Sequence, residues 1–68
     1  MSDIYRFRIE GVVSPELIAT FHPLSTVVDS NGTEFACLIN DSPQLFGIVA
    51  RCETLGLNLI SMMRMRSV

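Results

Sequence analysis

DSPQLFGIVARCETLGLNLISMM, residues Asp41 to Met63, reads as a capped helix, a stop and an apolar strand. Asp41 and Ser42 are both competent N-caps, because their short side-chain oxygens accept from the unpaired N–H groups of a first helical turn. Pro43 suits the first helical position, where its missing N–H costs nothing. With Asp41 as the cap, Gln44 takes the third position of a capping box. Leu45, Ile48, Val49, Cys52 and Leu55 then recur at three-and-four spacing and form one apolar stripe. Arg51, Glu53 and Thr54 fall opposite, and Gly56 stands where a left-handed residue closes a helix. Gly47 breaks the pattern, since an interior glycine costs about 0.5–1 kcal/mol relative to alanine. A close approach of helix to sheet is the expected reason for it.

The chain before this unit supplies the layers it needs. From Ile4 to Val13, Tyr5, Phe7 and Ile9 alternate with Arg6, Arg8 and Glu10, which predicts a strand with one buried face. Gly11 ends or bulges it. Ser14-Pro15-Glu16-Leu17 then opens a helix of about two turns. Leu17, Ile18 and Phe21 share one face of that helix, and His22-Pro23 stops it. Ser25 to Ser30 is a short strand, Asn31-Gly32 a two-residue type I′ loop, and Thr33 to Ile39 the return strand. Phe35, Cys37 and Ile39 line one side of this strand, with Glu34, Ala36 and Leu38 on the other. The last strand, Leu57 to Met65, is apolar on both faces, with Leu57, Leu59 and Met63 against Ile60 and Met62.

Strand, short helix, hairpin, helix, strand is an α+β pattern. It predicts the ferredoxin-like β-α-β-β-α-β fold, a four-stranded antiparallel sheet with two helices on one face. Right-handed crossovers put the first and third strands in the centre. The first helix is short for its crossover, so a three-strand meander with an appended strand is the alternative. No linker, repeat or low-complexity stretch divides residues 1–68, and a single domain is expected.

Composition narrows the function classes. The net charge is −2, the pI is near 5.0 and there are no lysines. Phosphate recognition needs clustered Lys and Arg, so a nucleic-acid partner is not expected. No apolar run approaches the roughly 20 residues of a membrane span. MSDIYRFRIE lacks a basic region leading into an apolar stretch, so no signal peptide is expected and the cytoplasm is the default location. Cys37 and Cys52 lie 15 positions apart without a CxxC, so buried free thiols are expected and metal binding is not. His22 is the single histidine, with no residue in its sequence neighbourhood to orient it as a base. The hydroxyls of Ser14, Ser25 and Ser42 read as caps and strand ends. No catalytic residues, metal ligands or cofactor sites are assigned, and no enzyme is expected.

Tyr5 to Gly11, Pro15 to Phe21 with Leu24, the hairpin Asn31-Gly32-Thr33 and LFGIVARCETLGLNLIS from Leu45 to Ser61 carry a resemblance. In these residues the chain resembles a group of short, stand-alone bacterial proteins of unassigned function. The shared motifs are packing residues, so the resemblance implies fold and brings no catalytic residues. In outline the fold also looks like regulatory ACT-type modules, which implies a small-molecule-binding alternative. The leading expectation is a structural or protein-interaction module that self-associates as a homodimer or larger homo-oligomer, or joins another protein. A chain this small that is 49% hydrophobic has more apolar side chain than its own core hides. Leu38, Ile60 and Met62 are the candidate interface residues, with Met63 and Met65 adding adaptable apolar surface.

Overall fold

The computed structural model describes residues 2–67, with side chains through residue 66. Its elements are β1 (Asp3–Glu10), α1 (Pro15–Ala19), β2 (Ser25–Asp29), β3 (Gly32–Ile39), α2 (Ser42–Thr54) and β4 (Leu59–Ser67). The strands form one antiparallel sheet ordered β2-β3-β1-β4. β1 and β3 are therefore central, as the crossover rule requires, and the fold is the ferredoxin-like α+β arrangement. A meander would have kept β1 beside β2.

Core packing follows the alternation. Phe7 and Ile9 of β1 and Phe35, Cys37 and Ile39 of β3 meet Ile18 and Phe21 of the α1 region and Ile48 and Cys52 of α2. Phe7, Phe35 and Phe21 stack in succession, with 5.1 Å between ring centroids at each step. Such pairs add roughly 0.5–1.5 kcal/mol beyond their burial. Both cysteines are buried and free. Burial pushes the Cys37 thiol up to about 11, and the neighbouring Cys52 adds to the effect.

α2 starts and stops as its residues dictate. The Asp41 carboxylate accepts from Gln44 N–H at 2.8 Å, and the Gln44 side chain accepts from Asn40 N–H at 2.8 Å. The expected capping box thus reaches one residue further back than the cap. At the other end Gly56 has φ 74°, Leu57 N–H donates to Cys52 C=O at 2.8 Å, and Gly56 N–H donates to Glu53 C=O at 3.0 Å. These paired bonds satisfy two of the four orphan carbonyls. Leu55, expected at the end of the apolar stripe, is exposed.

Local differences from the sequence expectation have identifiable causes. Gly47 does not mark a close approach, because a Cβ there would meet nothing within 4 Å. The hairpin loop is Ser30-Asn31, one residue early, with Asp29 paired to Gly32. Asp29 explains the shift: its Oδ1 accepts from Asn31 N–H at 2.8 Å and Gly32 N–H at 3.0 Å, closing the turn without positive φ at Asn31. Gly32 opens β3 at φ 154°, where a Cβ would collide with the Ile9 carbonyl. β4 begins at Leu59, two residues later than expected.

Candidate functional site

The three candidate interface residues do not share one face. Leu38 lies opposite Ile4, on the side of the sheet away from the helices. Met62 lies opposite Phe7, on the helix side, because directly opposed residues point the same way. Between them Ile60 is the extra residue of a bulge, since Arg8 pairs Ser61 while Ile9 pairs Leu59. The bulge shifts the phase of the strand. Leu59 and Met62 join the helix side, while Ser61 and Met63 join the open side. All three candidates are exposed, at 37% for Leu38, 52% for Ile60 and 42% for Met62.

The open side carries a charge ladder at its centre. Arg8 contacts Asp29 at 3.0 Å and Glu34 at 3.4 Å, and Arg6 reaches Glu34 at 3.6 Å. Arg6 also approaches the Met63 sulfur at 3.8 Å. Glu10, on the same face of β1, accepts from Asn58 Nδ2 at 3.4 Å. Asp29 is a partner that sequence reading missed, because only the β2–β3 pairing brings it within diagonal reach of Arg8, from the row of Gly32 and Glu10. Its carboxyl is held below the usual carboxylate range, first by the Asn31 N–H and further by Arg8. Partly exposed and screened by solvent, these pairs serve register and solubility more than stability.

The turn after β1 is closed by the chain's own polar groups. Here Val13 N–H donates to Thr33 Oγ1 at 3.1 Å, and Thr33 Oγ1 donates to the Gly11 carbonyl at 3.0 Å. Thr33 is fully buried, and it occupies the turn's polar groups.

Two concave regions border α2. At its start a cavity of about 160 Å³ is lined by Asp3, Tyr5, Asn40 and Asp41. On its outer flank a groove of about 220 Å³ runs past Gly47 and Ile48, between Phe21 and His22 on one side and Arg51 on the other. Arg51 sits over the Phe21 ring, its guanidinium carbon 5.6 Å from the centroid. His22 holds a positive φ of 55°, unusual for a residue with a side chain. Neither His22 nor Arg51 makes an ion pair with an acid among the described residues. No local pattern marks this groove, because Phe21 and Arg51 are 30 positions apart.

Among the described residues, no group of three or more His, Cys, Asp or Glu side chains is arranged to hold a metal ion. No helix there is long and apolar enough to cross a membrane. No curated protein and no solved structure matches the chain. A family model matches residues 4–63, from β1 into β4, and by it the chain belongs to the family described as Domain of unknown function (DUF8691).

Proposed function

We propose that the protein is a non-catalytic structural module that self-associates along β4. The observation that carries this reading is the condition of that edge. β4 is nine residues long, contains no proline, and exposes Ile60, Met62, Met63 and Met65. Unpaired strand backbone flanked by hydrocarbon is a template for another strand. The charge pattern favours a second copy running antiparallel. Pairing centred between Met62 and Met63 sets Met62 against Met63 and Ser61 against Arg64, so no two arginines face each other. Parallel in-register pairing would stack Arg64 on Arg64. The bulges on either side leave Ser61 to Arg64 as the regular stretch for such a contact. The flexible methionines around it adapt to the twist of a partner strand.

Solution mass by light scattering, at several concentrations down to low micromolar, tests the reading. A dimer or larger species is expected for the wild type. Ile60→Glu and Met62→Glu are expected to yield monomers, whereas Leu38→Glu keeps the wild-type mass because Leu38 lies two strands inside the edge. A wild-type monomer at every concentration would sink the proposal. Loss of association in Leu38→Glu alone would move the contact to the open face of the sheet.

A further inference from the structure

We infer that the groove beside Gly47 is a binding site for a small carboxylate with an apolar body. Four observations converge on it. The helical glycine that opens the groove has no packing reason within the chain, since its side is vacant to 4 Å. Glycine at such a point admits close approach of something from outside. Phe21 and Ile48 give the groove an apolar floor. Arg51, held over the Phe21 ring, is the cation at its rim and has no acid paired with it among the described residues. His22 lines the facing wall, its backbone N–H donating to Ala19 C=O at 3.0 Å and its backbone left-handed at φ 55°.

The donor set selects the ligand class. A guanidinium presents a rigid planar fork that matches one carboxylate bidentately. One arginine and one histidine suit a singly charged group better than a phosphate, which collects several cations. The other polar side chains here are already engaged: Gln44 Nε2 donates to Leu38 C=O at 2.9 Å, and Thr20 Oγ1 donates to Leu17 C=O at 2.6 Å. At about 220 Å³ the groove is smaller than sites for drug-sized molecules, so the ligand is small. The acidic cavity at the start of α2 would repel the same group. The groove contains no β4 residue, so this site stands or falls apart from self-association.

Backbone amide shifts of the full chain, followed by NMR during titration with phenylacetate, test the inference. Saturable shifts centred on Gly47 and Ile48 are expected, with phenylacetamide giving none. Arg51→Gln is expected to weaken binding at least about tenfold, and Arg51→Lys, which keeps the charge but loses the fork, by a smaller factor. Gly-Gly-Phe with a free C-terminus, against its amidated form, separates the two sources of such a carboxylate. Saturation by the free tripeptide alone would assign the groove to a peptide C-terminus. No saturable shift with either acid, or equal binding by folded Arg51→Gln, would overturn the inference.

Discussion

A methyl group added at Gly32 would strike the Ile9 carbonyl, whereas one added at Gly47 would meet nothing within 4 Å. Gly32→Ala is therefore expected to destabilise by more than about 1 kcal/mol, the regime of a substitution the backbone cannot accept. Gly47→Ala is expected to stabilise by about 0.5–1 kcal/mol, the ordinary gain of alanine in a helix interior. Urea unfolding of the two variants measures both. At Asp29 the issue is charge. Its carboxyl is depressed in the folded protein by the Asn31 N–H and then by Arg8. A depressed folded value adds stability that is complete above the unfolded value near 3.9 and disappears as the pH falls through the folded one. Asp29→Asn is thus expected to be less stable than the wild type near neutrality and to converge with it in acid. A gap that stays constant from about pH 7 to pH 2 would show that the charge contributes nothing. The Asn31 bond is local to the turn, but the Arg8 contact is not visible from Asp29's neighbours in sequence, because the two meet only through the intervening β3.

Among the elements, α2 was legible almost to the residue. A cap, a three-and-four stripe and a terminal glycine are local signals, and each is satisfied locally by Asp41, Ile48 with Cys52, and Gly56. β1 and β3 were equally clear, since polar residues mark one face of each. β4 was not. Its Leu, Ile and Met residues mark neither face, so nothing in the sequence shows where a bulge at Ile60 changes the phase. The turn position failed for a related reason: Asn31-Gly32 has the expected composition, but the Asp29 side chain supplies the closing bonds one residue earlier. Thr33 belongs to this scale because it joins elements. Its hydroxyl, itself fully buried, serves Val13 and Gly11. Thr33→Val preserves the shape and orphans both backbone groups, so a loss of about 1–3 kcal/mol is expected, read from the urea midpoint.

For the molecule as a whole, the limit is coverage. α1 has five residues and leaves all of β2 exposed, while α2 spans thirteen. A domain of this length buries only about 60% of its unfolded surface in any case. Association along β4 would remove from water the exposed hydrocarbon of Ile60, Met62, Met63 and Met65. Any species that binds the folded chain and not the unfolded one raises the thermal midpoint with concentration. Melts across a roughly hundredfold range of protein concentration are therefore expected to shift upward in the wild type and not in Met62→Glu. An invariant wild-type midpoint would contradict the proposed contact.

The hydroxyl of Thr33 has a consequence for how the chain avoids misfolding. Sliding β3 along β1 by one residue would turn Phe35 and Cys37 to the wrong face, and the hydrophobic pattern forbids it. A slide of two residues would not be forbidden that way, because Phe35 would still face the helices opposite Tyr5 or Ile9. What separates the native pairing from that decoy is the fit of Thr33 under the Gly11–Val13 turn and of Gly32 beneath the Ile9 carbonyl. In a sheet whose apolar residues repeat every second position, those two side-by-side residues act as the proofreading step.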